Sequence, residues 1–277
     1  MSHSLPAPFK VSVAQVQPVP HDLPATLRIV VSAARKAAAE GSRLIAFPEM
    51  YLTPDAYETL ETLREAALVV ERGDLDPLLQ VSAETGIHIV VGFFERDGDR
   101  TYNTAALIGP QGLIGLHHKR HLPLMPGDCF VDIPEDISVP IFDTDIGRIG
   151  LAICYEIRFP EVARTLALEG ADIIVLPAAW PEQARILPDL FSTVRANENL
   201  VYFMAPNRND ATCGMPFIGN SHIIDPLGST LVRAGAEDGV FTVEIDITRA
   251  RNKSLIREPG VFEVHPFRDR LPATYRL

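Results

Sequence analysis

Cysteine is scarce in this chain: three in 277 residues, at Cys129, Cys154 and Cys213. An odd number at wide spacing excludes a disulfide framework and fits a reducing compartment. No stretch approaches the 18 consecutive apolar residues that a membrane-spanning helix needs, so no membrane partner is expected. Basic residues are the minority: Lys plus Arg is 25 against 36 for Asp plus Glu, a net charge of −11. That balance argues against nucleic acid or an anionic membrane as partner, since both attract basic surfaces. The opening text MSHSLPAPFK has no apolar core of a signal peptide, and a cytoplasmic location is expected. Gly/Ser tracts, charge runs and repeats are also missing, so one domain over residues 1–277 is expected.

What is present is ordinary globular composition, 47% hydrophobic and 22% charged, which excludes a disordered chain. Short apolar runs alternate with helical segments. Lys10–Val16 reads as a strand. Leu23–Glu40 reads as a helix, with Asp22 as its cap, Pro24 in the first turn and Gly41 as its stop. Arg43–Phe47 is a short strand ending at Pro48-Glu49. Helices are predicted over Thr59–Val70 and Leu75–Thr85, then strands at His88–Phe94, Asn103–Ile108 and Leu113–His117. A Pro/Asp-rich loop covers Leu122–Pro140. Arg148–Ile153 is a strand and Phe159–Glu169 a helix; Ile173–Leu176 is a strand and Leu187–Asn199 a helix. Strands follow at Val201–Ala205, Ser221–Ile224, Thr230–Arg233 and Phe241–Ile245. Hairpin turns mixed with strand–helix units predict an α/β or α+β layered sandwich, with helices on the outer sheet faces.

Three polar residues stand where buried strands end. Glu49 follows RLIAFP, Lys119 follows LIGLHH, and Cys154 follows RIGLAI. Strand ends are rigid and open into crevices, so sites form there. A Cys between strand and helix sits on a tight turn that exposes its sulfur. The chemistry of the trio is coherent. A carboxylate can accept the thiol proton and return it to a leaving amine, and a lysine can donate to a developing oxyanion. The N–H of Tyr155, next to the nucleophile, is a second oxyanion donor. Taken singly, each residue has a plain reading: Cys154 as a small core hydrophobe, Glu49 as a capping or paired carboxylate, Lys119 as a solvated base.

FPEMYLTP around Glu49, HKRHLP around Lys119 and GRIGLAICYEIRFPE around Cys154 resemble the nitrilase superfamily of carbon–nitrogen hydrolases. The order matches, with 70 residues between the first two and 35 between the last two. Further similar text lies in GADIIVLPAAWP, RANENLVYFMAPNRN and GNSHIIDPLG, so the likeness runs from about Lys10 to Asp246 and leaves 247–277 as a tail. The resemblance implies a four-layer αββα sandwich that pairs through its helices into a homodimer or a larger homo-oligomer. It implies Glu49 as base and acid, Lys119 as oxyanion stabiliser, Cys154 as nucleophile, and no metal or organic cofactor. Where many members carry a second glutamate in the loop after the lysine, this chain offers Asp128, one methylene shorter, with Glu135 ranked lower. The text after Cys154 is closer to amidase-like branches, which favours a small amide over a nitrile as substrate, with an N-carbamoyl compound as the alternative.

Around the trio, Glu156 and Arg158 are expected to fix the nucleophile turn by an ion pair or hydrogen bonds, and Trp180 and Phe130 to wall the pocket, with Met204 a weaker candidate. Alternation along the strand sends His117 and Lys119 to one side and His118 to the other. A metal reading of His117, His118 and His121 has no supporting spacing. A Cys–His pair with His121 or His222 is the rival mechanism. A catalytically silent binding or scaffold protein is the rival class, against which stands the presence of all three trio residues.

Overall fold

The computed structural model describes residues 7–54, 57–211 and 214–276. In chain order the elements are β1 (Phe9–Gln15), α1 (Leu23–Ala39), β2 (Ser42–Ala46), α2 (Leu60–Ala66), α3 (Asp76–Thr85), β3 (His88–Asp97), β4 (Arg100–Gly109), β5 (Gly112–His118), β6 (Ile141–Thr144) and β7 (Gly147–Leu151). They continue with α4 (Pro160–Leu168), β8 (Ile173–Val175), α5 (Ser192–Asn199), β9 (Tyr202–Ala205), β10 (His222–Ile224), β11 (Thr230–Arg233), β12 (Gly239–Ile245), α6 (Thr248–Arg251), β13 (Leu255–Glu258) and β14 (Phe262–Val264).

Two six-stranded mixed sheets form, β12-β1-β2-β3-β4-β5 and β11-β10-β9-β8-β7-β6. In each, a parallel centre (β1-β2-β3 and β7-β8-β9) is flanked by antiparallel strands. The parallel strands are joined through helices, and those helices cover the outer faces. Val30, Ala34 and Ala37 of α1 pack with Ile45, Ile89 and Val91 of the first sheet. Ala163, Leu166 and Ala196 of α4 and α5 pack with Ile174 and Phe203 of the second. Between the sheets lies a third core built from alternate residues, Val11, Leu44, Val90 and Leu107 facing Ile149, Leu151, Val175 and Met204. The layers are therefore helix, sheet, sheet, helix, as expected. Truncating one of these buried aliphatic residues to Ala would cost about 2–5 kcal/mol.

Some boundaries differ from the sequence reading. The helix expected over Thr59–Val70 stops at Ala66, because Leu68 leaves it to donate its N–H to Phe94 O of β3 at 2.9 Å. The segment expected as one helix over Leu187–Asn199 opens with a wide π turn at Leu187–Phe191. β6 and the exposed β13–β14 hairpin were not anticipated; the hairpin shows no buried face that patterning could reveal. No helix among the described residues is long and apolar enough to cross a membrane.

Candidate active site

Glu49, Lys119 and Cys154 each sit one to three residues past a strand. After β2 the ladder continues through Phe47 N–H to Val90 O at 2.8 Å, and the chain then turns at Pro48-Glu49-Met50. That turn lies against Gly92, where a Cβ would stand 2.7 Å from Glu49 Cα and Pro48 O. Only glycine permits this approach. Lys119 extends β5, its N–H donating to Asn103 O of β4 at 2.8 Å. Beyond β7, Ala152 N–H donates to Val175 O and Cys154 N–H to Pro177 O at 2.9 Å. Cys154 is left-handed, φ 43°, as is Met50 at φ 52°. Non-glycine residues adopt this conformation at a cost, typically where a site requires it. A tight 3-10 turn, Cys154–Arg158, then leads to Pro160 at the start of α4.

The three side chains share one cavity of about 260 Å³, which Asp128, Tyr155, Arg158 and Trp180 also line. Its walls are largely apolar, with Met50, Met125, Leu187 and Phe217 among them. Glu49 and Lys119 are 2% and 1% exposed. Lys119 Nζ donates to Glu49 Oε1 at 2.7 Å and to Asp128 Oδ2 at 2.5 Å. Asn103 Nδ2 donates to the same two carboxylates, at 2.9 and 2.8 Å. The Cys154 thiol lies within reach of the charges of Glu49 and Lys119, and the Ala179 N–H favours its ionised form.

Electrostatics follow from this packing. Burial works to lower the pKa of Lys119, but the charges of Glu49 and Asp128 outweigh it and hold the ammonium firmly charged. Burial lifts the Asp128 carboxyl above its ordinary range, with Lys119 opposing and Glu49 assisting. Burial, and then the Glu49 charge, push the Cys154 thiol well above 9.0. The thiol thus rests neutral beside an ammonium held between two carboxyl groups. No backbone carbonyl among the described residues accepts the Tyr155 N–H, which leaves it free to donate to a substrate oxygen.

Several expected residues stand elsewhere. Glu156 does not pair with Arg158. Its carboxylate takes His117 Nε2–H at 2.7 Å and His121 Nδ1 at 3.3 Å, and Arg158 is exposed on the cavity wall. Phe130 is not on this wall; the turn at Asp128–Phe130 sends Asp128 inward and Phe130 to a neighbouring groove with Tyr57 and Leu124. Met204 is fully buried between the sheets. Glu135 is exposed and pairs with Arg100 at 2.8 Å. His118 lies on the opposite side of β5 from Lys119, bonded to Glu95 at 2.9 Å. His117 and His121 thus share the Glu156 carboxylate, while His118 faces Glu95. His222 is buried in the second sheet, Nδ1 bonded to Asn220 O, and burial takes its pKa down to about 4. Neither it nor His121 lines the cavity that holds Cys154. Cys129 is an exposed free thiol, and Cys213 lies outside the described residues. Sequence reasoning missed Asn103, whose YNT text in a strand gives no sign that the amide turns inward onto two carboxylates.

A family model described as carbon–nitrogen hydrolase matches residues 10–253. A nitrilase of Pyrococcus abyssi is 37% identical over 225 residues, covering 80% of this chain and 83% of that one. The omega-amidase NIT2-A of Xenopus laevis is 32% identical over 263 residues, covering 87% and 90%. Among solved structures, a mutant of the Nesterenkonia AN1 amidase from the nitrilase superfamily superposes with a TM-score of 0.78 at 22% identity, covering 90% of this chain and 95% of that one. At that identity the structural match speaks for the fold.

Proposed function

The chain belongs to the carbon–nitrogen hydrolase family, and from that membership we propose that it cleaves the C–N bond of a small linear amide through a thioester on Cys154. The observation that carries the reading is the single cavity shared by Glu49, Lys119 and Cys154. Glu49 takes the thiol proton as the sulfur attacks the amide carbonyl. The oxyanion forms between Lys119 Nζ and the Tyr155 N–H, donors already fixed in a largely apolar cavity. Glu49 returns the proton to the leaving nitrogen, and ammonia or an amine departs. Water then enters, Glu49 accepts its proton, and the thioester is hydrolysed to the carboxylic acid and the free thiol. Asp128 holds the ammonium in place, a role supported by its 2.5 Å contact with Lys119 Nζ.

The wall chemistry supports one class of acyl group. Apolar surface from Met50, Met125 and Phe217 suits an aliphatic stem. Arg158, exposed on the same wall and without an acidic partner among the described residues, suits a terminal carboxylate. A monoamide of a short dicarboxylic acid has both features; an N-carbamoyl amino acid is the second reading, favoured by the same guanidinium. An ammonia-release screen over aliphatic ω-amides, N-carbamoyl amino acids and small nitriles tests this, with Cys154→Ala as control. Turnover of nitriles alone, or of nothing, would contradict it. Pairing with a second copy is supported by an exposed apolar stripe, Ile186, Leu190 and Val194, 46%, 58% and 46% exposed, that runs from the π turn before α5 onto α5. Sedimentation of wild type against Leu190→Glu tests it, with a shift from dimer to monomer expected.

A further inference from the structure

The base and the nucleophile stand on different sheets. Glu49, Asn103 and Lys119 extend or belong to β2, β4 and β5 of the first sheet, whereas Cys154 follows β7 of the second. Between the sheets the contact is mostly apolar packing, which is non-directional and does not set register by itself, with polar links from Ser221 N–H to Gln15 Oε1 at 2.9 Å, from Tyr202 Oη to Asp246 O at 2.9 Å and from Glu49 N–H to Ala178 O at 3.4 Å. Glu156 also joins the two sheets. Its Oε2 accepts from Ile153 N–H, the residue before the nucleophile, at 2.8 Å and from His117 Nε2–H at 2.7 Å. Its Oε1 accepts from Arg120 N–H, the residue after Lys119, at 3.1 Å and faces His121 Nδ1 at 3.3 Å. Each oxygen therefore serves one or more groups fixed by backbone, and the carboxylate as a whole spans the ends of β5 and β7. Behind it lies a second cavity of about 290 Å³, lined by His117, His121, Glu156 and Glu161, so solid packing does not hold this segment from the rear.

We propose that Glu156 is a positioning residue that sets the sulfur of Cys154 in register with Lys119 and Glu49 across the two sheets. The inference rests on the reading of Cys154 as nucleophile. It does not concern the substrate walls, which Glu156 does not line. Support comes from the state of the carboxylate: burial opposes its charge, yet His117, His121 and the Arg120 N–H outweigh burial and hold it ionised. An ionised carboxylate can accept from both backbone N–H groups at once. A glutamine cannot, because its NH₂ must oppose one of them.

The test compares wild type, Glu156→Gln, Glu156→Leu and Cys154→Ala, with turnover expressed per active site titrated by thiol alkylation. Loss of one backbone contact in Glu156→Gln is expected to lower kcat about tenfold with KM within twofold. Loss of both in Glu156→Leu should lower it about 10²-fold, the scale of a misplacement near 1 Å. Should Glu156→Leu fail to fold, Glu156→Gln still decides. Wild-type kcat per titrated site in Glu156→Gln, with only the melting temperature lowered, overturns the inference and leaves a purely structural role. A parallel rise in KM would also overturn it. Turnover surviving in Cys154→Ala would instead overturn the reading beneath it.

Discussion

Lys119→Met removes the one cation bonded to two buried carboxylates while keeping most of the side-chain volume. In the native site Lys119 Nζ lies 2.7 Å from Glu49 and 2.5 Å from Asp128. Without it, two like charges share a buried site. Breaking a buried ion pair from one side costs about 3–5 kcal/mol, roughly 10 °C or more in Tm for a chain of this size. The cost depends on pH. Burial already lifts the Asp128 carboxyl and the Glu49 charge lifts it further; with Lys119 gone nothing comparable opposes them. A carboxyl whose folded pKa lies above its unfolded value binds more protons when folded, so stability falls as pH rises between the two values. The variant should therefore melt far below wild type at pH 8, and the gap should narrow at pH 5. Thermal melts followed by circular dichroism at both values read this directly. A gap that is absent, or equal at the two pH values, would refute the charge argument. Loss of the oxyanion donor should also lower kcat by about 10²–10³-fold.

Three other outcomes follow from the same geometry. Gly92→Ala places a methyl 2.7 Å from the Glu49 backbone; stability should fall by about 1–3 kcal/mol and kcat with it, and a variant of wild-type activity would contradict the close approach. Cys154 occupies φ 43°, so Cys154→Gly should be about 1 kcal/mol more stable than Cys154→Ala in denaturant melts; the reverse order would contradict the strained turn. Because burial and Glu49 hold the thiol well above 9.0, the 240 nm absorbance difference between wild type and Cys154→Ala should stay flat from pH 6 to pH 8.5. A thiolate step near neutrality would show that the proton is lost before substrate arrives.

The layers and the three strand-end residues were legible because RLIAF and RIGLAI are short, continuous apolar runs followed at once by a polar residue and a turn. Parity was not legible in such runs. In β9, Tyr202 and Met204 face the other sheet while Phe203 and Ala205 face the helices; a strand apolar on both faces carries no mark of which is which, and Met204 was therefore assigned to the wrong space. Phe130 was misplaced because its direction depends on a single 3-10 turn, which points Asp128 inward. Arg158 and Glu156, two residues apart, invited an ion pair. The turn separates them; Glu156 does fix the turn through Ile153 N–H, but its other partners lie 35 to 39 positions earlier, on β5 and just beyond it. Long-range polar contacts of this kind, like the double donation from Asn103, leave no local pattern.

The proposed mechanism passes through a covalent acyl–sulfur bond at Cys154, which intact and peptide mass spectrometry of protein quenched by acid during turnover of an ω-amide would detect. The expected result is a mass gain equal to the amide minus ammonia, confined to the peptide containing Cys154, removed by hydroxylamine and missing from Cys154→Ala. Steady turnover with no adduct, or an adduct carried on Cys129 and unchanged in Cys154→Ala, would contradict it.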